Sequence, residues 1–237
     1  MPQYWLMYDI RTITLDLDDT LWAIDPVIER AERKLREWLR DNYPRITEMF
    51  SPQDMYELRG AIADEHPDKV HDFTFLRRAV LGQLGTLAGY GDGLVDGAMT
   101  VFSALRNDVE VFPEVRPALR KLRQNYCVIA VTNGNADLSA IGLRDLFDDV
   151  ISAASAGVAK PAREIFDVAV QAGGAVASET LHVGDHPEVD VVAAQAAGLK
   201  SVWVNRGGRD WPDHLQCPDG IVRDVGELLS LLGVSER

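Results

Sequence analysis

The sequence contains only two cysteines, Cys127 and Cys217, and no apolar run that approaches the length of a membrane-spanning helix. Such a helix needs about 20 consecutive apolar residues. Cys127 lies in the apolar run Cys-Val-Ile-Ala-Val, which is typical of a buried strand rather than of a disulfide. Residues 1–8 offer neither a basic leader nor a long apolar stretch. We therefore expect a cytoplasmic protein that has no membrane partner.

Basic residues are scarce as well. The chain has 24 Lys and Arg against 37 Asp and Glu, which gives a formal net charge of -13 at pH 7. A field of this sign repels nucleic acids and anionic membranes, so no nucleic-acid partner is expected. An anionic substrate would need a locally positive site, which a metal cation would supply. The sequence also lacks Cys-x-x-Cys and His-Glu-x-x-His patterns, so zinc is not predicted.

Predicted strands and helices alternate along the second half of the chain. The predicted strands comprise residues 12–17, 127–131, 150–151, 180–183 and 201–204. The predicted helices after residue 112 comprise residues 113–125, 137–146, 161–171 and 187–197, the last three with a proline or aspartate at their start. This alternation predicts an α/β fold whose mostly parallel sheet is covered by helices on both faces. A binding site then belongs at the carboxyl ends of the strands.

The stretch between the first predicted strand and residue 107 has helical periodicity instead. One predicted helix face carries Val27, Ile28, Ala31, Leu35, Trp38 and Leu39. Ser51-Pro52 followed by Asp54 predicts a capped helix start, and further helices are expected after His71 and Gly93. We expect an all-helical domain of residues 23–110, inserted into a core domain of residues 1–22 and 111–237.

Carboxylates crowd the end of the first predicted strand, in the run Asp16-Leu17-Asp18-Asp19-Thr20. Residues i and i+2 of an extended segment point to the same side, which brings Asp16 and Asp18 together. Mg²⁺ prefers one or two carboxylates with water and phosphate oxygens, and it would offset their repulsion. Read in isolation, an Asp-x-Asp pattern is more often an acidic strand-to-loop turn, so the other motifs must decide.

Three further motifs follow later strands. Thr132-Asn133-Gly134 offers a hydroxyl and backbone N–H groups suited to a phosphoryl oxygen, although the triplet is also a turn signal. Lys160 precedes Pro161, where a helix is predicted to begin, and its ammonium either neutralises a phosphate or lies on the surface. Asp185, with Glu188 and Asp190 after it, adds carboxylates that would complete a metal site.

These four motifs, in this order and each at a predicted strand end, resemble those of the haloacid dehalogenase superfamily. The helical insert resembles the C1-type cap of that superfamily. The run Leu15 to Trp22, His71-Asp72-Phe73-Thr74 and residues 131–136 resemble bacterial phosphatases that act on flavin mononucleotide (FMN) or on 5-amino-6-(5-phospho-D-ribitylamino)uracil. The resemblance implies a Rossmann-like core with an inserted helical cap, and a Mg²⁺-dependent phosphatase acting on a small phosphate ester.

The resemblance also implies a role for each motif residue. Asp16 is expected as the nucleophile that carries the phosphoryl group, and Asp18 as the acid and base. Mg²⁺ would be held by the side chains of Asp16 and Asp185 and by the backbone carbonyl of Asp18. The remaining expected contacts are phosphate binding by Thr132, the Asn133 N–H and Lys160, and orientation of Lys160 or a metal-bound water by Asp190.

Other activities on the same scaffold stay open from the sequence. A dehalogenase of the superfamily would keep the nucleophile but lack the second carboxylate and the metal, so Asp18 argues for a phosphatase. A phosphotransferase and a non-catalytic binder of a phosphorylated ligand also stay open. Asp19 stands where many members of the superfamily have glycine. The substrate is not fixed by the sequence, and a monomer is expected.

Several aromatic and histidine side chains have two interpretations each. Trp22, beside the first motif, is either a substrate contact or a packing residue. Phe73, close to Arg77 and Arg78, either stacks on a flat ring of the substrate or packs in the core. It shares a predicted helical face with Leu76, Val80 and Leu84, which favours packing in the core. His182, inside a predicted strand, is expected to be a packed core residue rather than a ligand. His186 is expected in a solvated loop rather than at the mouth of the site.

Overall fold

A computed structural model describes residues 9–234; residues 1–8, in which no leader is expected, and residues 235–237 lie outside the described part. The chain divides into two compact units. One consists of the described parts of Met1–Ala23, Glu110–Gly134 and Leu138–Arg237, and the other of Ile24–Val109 and Asn135–Asp137. Within residues 9–234, no helix has both the length and the apolar composition needed to cross a membrane.

The first unit is built on a six-stranded sheet in which every neighbouring pair of strands is parallel, with the order β3-β2-β1-β4-β5-β6. The strands are β1 Thr12–Leu15, β2 Cys127–Thr132, β3 Asp149–Ser152, β4 Thr180–Gly184, β5 Lys200–Val204 and β6 Gly220–Val222. Every residue of β1 and β4 is buried, as expected for central strands covered on both faces. The predicted fold class is confirmed, and β6 is an additional strand.

The register of the sheet aligns the ends of the central strands. Leu15, the last residue of β1, pairs with Ala130 of β2 on one side and with Val183 of β4 on the other. The loops that follow β1, β2 and β4 therefore leave the sheet at the same edge. This edge carries Asp16, the end of β2 at Thr132 and the end of β4 at Gly184.

The second unit contains helices and no strand among its described residues. Its helices are α1 Asp25–Asn42, α2 Pro44–Met49, α3 Pro52–Glu65, α4 Phe73–Leu87 and α5 Val95–Arg106, with a 3-10 turn at Pro67–Lys69. The predicted helix start at Ser51 is confirmed, because Ser51 and Asp54 form a reciprocal capping box. Buried residues of α1, α4 and α5, among them Leu35, Leu84 and Phe102, form one hydrophobic core.

The expectation for Phe73 is wrong. Leu76, Val80 and Leu84 of α4 are buried, but Phe73 is 39% exposed, with the guanidinium of Arg59 5.1 Å from its ring centroid. Phe73 is the first residue of α4, capped by the Asp72 carboxylate, so it lies beyond the part of the helix that reaches the core.

The helices of the sheet unit are α6 Val115–Leu122, α7 Leu138–Ile141, α8 Ala153–Ala156, α9 Arg163–Gly173, α10 Ala193–Ala196 and α11 Val225–Leu231. The single helix expected over residues 137–146 is instead α7 and a 3-10 turn at Arg144–Leu146, because Gly142 has a left-handed φ of 74°. The next expected helix begins at Arg163, two residues after Pro161. A π-helical turn, Pro187–Val192, precedes α10.

Candidate active site

Asp16 follows the last residue of the central strand β1. Its backbone N–H donates to the carbonyl of Val183, which continues the pairing with β4 for one more residue. The carboxylate is buried; one oxygen accepts from Lys160 Nζ at 2.6 Å, and the other from the Thr20 hydroxyl at 3.2 Å. Burial raises the pKa of Asp16 to about 8, against the lowering effect of Lys160. The site thus holds a carboxylate whose charge is incompletely compensated by the protein.

Lys160 lies between two carboxylates. Its Nζ donates to Asp16 Oδ1 at 2.6 Å and to Asp190 Oδ1 at 2.7 Å, and its side chain is 2% exposed. Burial alone would lower the pKa of Lys160, but the charges of Asp16 and Asp190 outweigh burial and raise that pKa. Lys160 is therefore a buried ammonium, and the interpretation of Lys160 as a surface lysine is wrong.

The backbone of Lys160 is fixed by the side chain of Asn133. Asn133 Oδ1 accepts from the Lys160 N–H at 2.7 Å, and Asn133 Nδ2 donates to the Lys160 carbonyl at 2.8 Å. This amide pairing joins the loop after β2 to the loop that carries the lysine. Next to it, Thr132 Oγ1 accepts from the N–H of Gly134 at 2.9 Å, so its hydroxyl hydrogen can be donated elsewhere.

Asp190 lies in the π-helical turn after β4 and accepts hydrogen bonds on both oxygens. Lys160 Nζ and His182 Nε2 meet Oδ1 at 2.7 and 3.2 Å, and the His186 N–H meets Oδ2 at 3.0 Å. Burial alone would raise the pKa of Asp190, but the charge of Lys160 and the bond to His182 outweigh burial and lower it. Asp190 is an ionised carboxylate whose hydrogen-bonding capacity is used within the protein.

His182 and His186 contribute in different ways. His182 is buried, and its ring meets Phe166 edge-on at a centroid distance of 5.1 Å, which confirms a packed core residue. Burial lowers the pKa of His182. His186 is exposed, in the loop where it was expected, and its ring nitrogen accepts from two backbone N–H groups at the start of the π-helical turn.

Asp185 follows β4 and is partly buried. Its backbone carbonyl accepts from Trp203 Nε1 at 2.7 Å and from Arg209 Nη2 at 3.2 Å. Burial, with the charges of Asp190 and Asp19, raises the pKa of Asp185 to about 7. Asp16, Asp185 and Asp190 each offer an oxygen within 4.8 Å of the others, which is a spacing that a metal ion could bridge.

The loop after Asp16 turns back on itself. Trp22 is fully buried, and its indole N–H donates to Asp18 Oδ1 at 2.9 Å. The backbone N–H of Asp19 donates to the carbonyl of Trp22, and Asp19 has a left-handed φ of 61°. Glycine adopts that conformation without strain, and aspartate is one of the few other residues that tolerate it. Trp22 thus orients Asp18, and its contact with a substrate stays a prediction.

The structure brings together most of the residues that the motifs predicted. Asp16, Lys160 and Asp190 are joined by direct contacts, and Asp185 lies within ligand distance of Asp16. The contacts that sequence patterns did not reveal are the Asn133 side-chain bonds and the Thr20 hydroxyl on Asp16. Both contacts depend on the direction in which a side chain points. The sequence motifs indicated only that these residues lie near the end of a strand.

Comparison with known proteins gives the family. Residues 10–198 match the profile of the haloacid dehalogenase-like hydrolases. The chain is 31% identical over 231 residues to the 5-amino-6-(5-phospho-D-ribitylamino)uracil phosphatase YigB of Escherichia coli, and the match covers 94% of this chain and 96% of that protein. It is 38% identical over 120 residues, 48% of this chain and 53% of the relative, to the pyrimidine 5'-nucleotidase YjjG of Escherichia coli.

Among solved structures, a 2-haloacid dehalogenase from Pseudomonas syringae pv. Tomato DC3000 has a TM-score of 0.90 and 37% identity, and the match covers 94% of this chain and 98% of that one. The chain belongs to the haloacid dehalogenase-like hydrolases. The predicted family, fold class and enzymatic nature are confirmed. YigB and YjjG, a phosphatase and a nucleotidase, support the phosphatase class for this chain.

Proposed function

We propose that this protein is a Mg²⁺-dependent phosphatase that hydrolyses a small phosphate ester through an aspartyl-phosphate on Asp16. The observation that carries the proposal is the hydrogen bonding of Asp16 to Lys160 and Thr20 at the end of β1. Asp18 lies two residues after Asp16, and its carboxylate is oriented by the indole N–H of Trp22. A nucleophile, a cation beside it and a separate carboxyl group are the components that phosphoryl transfer requires.

The donor set fits a hard divalent cation. Asp16 and Asp185 have pKa values raised to about 8 and about 7, chiefly by burial and in addition by neighbouring carboxylates, so each would be stabilised as an anion by a cation beside it. Asp190 already accepts from three donors, which leaves Asp16 and Asp185 as the carboxylates for a cation. We assign them, with the backbone carbonyl of Asp18, to Mg²⁺. The cation would hold Asp16 ionised and offset the charge of the substrate.

The proposed reaction has two steps at Asp16. In the first, an oxygen of Asp16 attacks phosphorus and the bond to the ester oxygen breaks, while Asp18 gives its proton to the leaving alkoxide. In the second, Asp18 removes a proton from water, whose oxygen attacks the same phosphorus and releases inorganic phosphate from Asp16. Asp18 is partly exposed, so water can reach it, and Trp22 fixes one of its oxygens.

Three groups around Asp16 are suited to the phosphoryl oxygens. The buried hydroxyl of Thr132 accepts from the Gly134 N–H, which leaves its own hydrogen to donate. The Asn133 N–H and the third N–H of Lys160 are the other donors we assign. Since phosphoryl transfer depends mainly on positioning and electrostatics, the amide pairing of Asn133 with Lys160 serves catalysis by fixing the lysine.

For the substrate, we propose 5-amino-6-(5-phospho-D-ribitylamino)uracil or FMN. The first is the compound named for YigB, whose similarity spans nearly the whole chain. The two compounds share a phosphorylated ribityl chain on a flat ring system. A pyrimidine nucleotide, named for YjjG, is the next candidate, although that similarity spans about half of each chain.

Dehalogenation is the second candidate, because the Pseudomonas syringae structure with a TM-score of 0.90 is described as a 2-haloacid dehalogenase. A halide ion leaves without a proton, whereas an alkoxide needs one, so only the phosphatase reaction uses Asp18 as an acid. A reaction that needs no cation would also leave Asp185 without a role. These two carboxylates favour the phosphatase.

The proposal is tested by measuring products from a panel of candidate substrates. The panel contains 5-amino-6-(5-phospho-D-ribitylamino)uracil, FMN, pyrimidine nucleoside monophosphates and L-2-chloropropionate, each assayed with Mg²⁺ and with excess chelator. Phosphate release that the chelator abolishes is the expected result. Chloride release without phosphate release would replace the phosphatase by a dehalogenase. Transfer of the phosphoryl group to an added second alcohol, without release of inorganic phosphate, would indicate a phosphotransferase. Binding without any product would indicate a binder.

A further inference from the structure

The buried histidine behind the catalytic lysine has both ring nitrogens engaged. His182 Nε2 lies 3.2 Å from Asp190 Oδ1, and Nδ1 lies 2.8 Å from the Thr14 hydroxyl. An ionised carboxylate only accepts, so the ring proton belongs on Nε2, and Nδ1 then accepts from Thr14. The side chains of His182 and Asp190 are at most 2% exposed, which excludes water as a replacement donor.

These contacts form a continuous series that ends at the nucleophile. Thr14 donates to His182, His182 donates to Asp190, and Lys160 bridges Asp190 and Asp16. Asp190 Oδ1 is shared by His182 and Lys160, so the direction of the carboxylate decides where the ammonium lies. Without His182, only the His186 N–H and Lys160 itself would orient Asp190.

We propose that His182 is a positioning residue, which orients Asp190 and through it holds the Lys160 ammonium against Asp16. Its effect on turnover rests on the proposed phosphatase function. Hydrogen-bond partners that orient groups contacting the reaction centre typically contribute about 10-fold or more to activity. Because His182 contacts neither substrate nor cation, its loss affects kcat and leaves KM nearly unchanged.

The variants that test the proposal separate hydrogen bonding from packing. His182→Leu keeps an apolar side chain but removes both ring nitrogens. His182→Gln restores an N–H donor near the position of Nε2. Phe166→Leu removes the ring that packs edge-on against His182 and leaves its hydrogen bonds intact. All three are made in the full chain and assayed at saturating Mg²⁺ with the best substrate of the panel.

We expect His182→Leu to lower kcat about 10-fold with KM within about 2-fold, and His182→Gln to recover kcat to within about 3-fold of wild type. Phe166→Leu lowers the melting temperature and leaves kcat within about 2-fold of wild type. If His182→Gln is as slow as His182→Leu, or if Phe166→Leu loses as much kcat, then His182 is only a packing residue and the proposal is overturned.

A second measurement does not depend on turnover. The ammonium protons of a well-held, buried lysine exchange slowly enough to be seen by ¹H–¹⁵N NMR, and the signal of Lys160 is identified by its loss in Lys160→Met. We expect this signal in wild type and in His182→Gln, and its loss by exchange in His182→Leu. A signal unchanged in His182→Leu overturns the proposal. Absence of phosphate release from every compound would instead count against the phosphatase function alone.

Discussion

The backbone of Gly184 lies directly against the carboxylate of Asp190. A Cβ atom at Gly184 would stand 2.4 Å from Asp190 Cγ and 2.5 Å from its Oδ2, which is closer than real contacts allow. Asp190 is held there by Lys160 and His182, so it cannot move away without losing those bonds. A glycine at the end of β4 is therefore a condition for the position of Lys160.

Gly184→Ala is expected to displace Asp190. The added methyl should lower the free energy of unfolding by about 1–3 kcal/mol, as overpacked sites do, and lower kcat by at least about 10-fold. Chemical denaturation and steady-state kinetics measure the two effects. Gly60→Ala is the matched control, since Gly60 lies in α3 and a Cβ atom there would have no neighbouring atom within 4 Å, so kcat should be unchanged. Wild-type kinetics in Gly184→Ala would contradict this role of the glycine.

Substitutions at Asp19 separate its conformation from its charge. Asp19 has a φ of 61°, and its charge contributes to the raised pKa of Asp185. Asp19→Asn removes the charge but keeps a residue that tolerates the left-handed conformation. Asp19→Ala removes the charge and also that tolerance. We expect Asp19→Gly to be the most stable variant and Asp19→Ala to be about 1 kcal/mol less stable than Asp19→Asn. Equal stability of the Ala and Asn variants would show that the conformation costs nothing.

The meeting of Asp16 and Asp185 was predictable for a simple reason. Parallel strands end at one edge of the sheet, so residues that follow β1 and β4 become neighbours whatever their distance along the chain. Hydrophobic runs identified the central strands for the same reason, because both of their faces are buried. Strand β6, at the edge of the sheet and three residues long, is too short for any periodic signal.

The contacts of single side chains were less predictable. The pair of hydrogen bonds between Asn133 and the Lys160 backbone requires the close approach of two loops that are 27 residues apart. Phe73 was expected in the core because periodicity specifies the face of a helix but not where along its length the core ends. Trp22 was identified as a residue near the site, but its hydrogen bond to Asp18 depends on a turn that the sequence alone did not specify.

The stability of the metal-free protein should fall as pH rises between about 4 and 7. The pKa of Asp185 is raised from 3.8 in the unfolded chain to about 7, so the folded protein retains a proton that the unfolded chain has lost. Stability falls with pH wherever the folded state binds more protons. Asp185→Asn removes this contribution, so the variant should be more stable than wild type at pH 8. A shift of one pKa unit corresponds to about 1.4 kcal/mol, and partial exposure reduces it, so the free energy of unfolding should rise by about 1–3 kcal/mol.

Thermal unfolding in chelator at pH 5 and pH 8 measures this effect. Asp213→Asn, a change in an exposed loop, is the control and should follow wild type at both pH values. With Mg²⁺ added, wild type should gain stability and Asp185→Asn should gain much less, because binding to the folded state stabilises it. Equal Mg²⁺ stabilisation in both proteins would remove Asp185 from the proposed metal site.

Asp16 and Asp18 should respond differently to the leaving group of the substrate. Asp16→Asn removes the nucleophile and should abolish turnover of every ester, with the fold intact by circular dichroism. Asp18→Asn removes the acid that protonates the leaving alkoxide, so it should slow an alkyl phosphate about 10²–10⁴-fold. A p-nitrophenyl ester leaves readily without a proton, so its phosphorylation step should be slowed far less. Stopped-flow release of p-nitrophenol isolates that step, because the later attack of water also needs Asp18. An equal loss of the first step for both esters would mean that Asp18 acts on the position of Asp16 rather than on the proton.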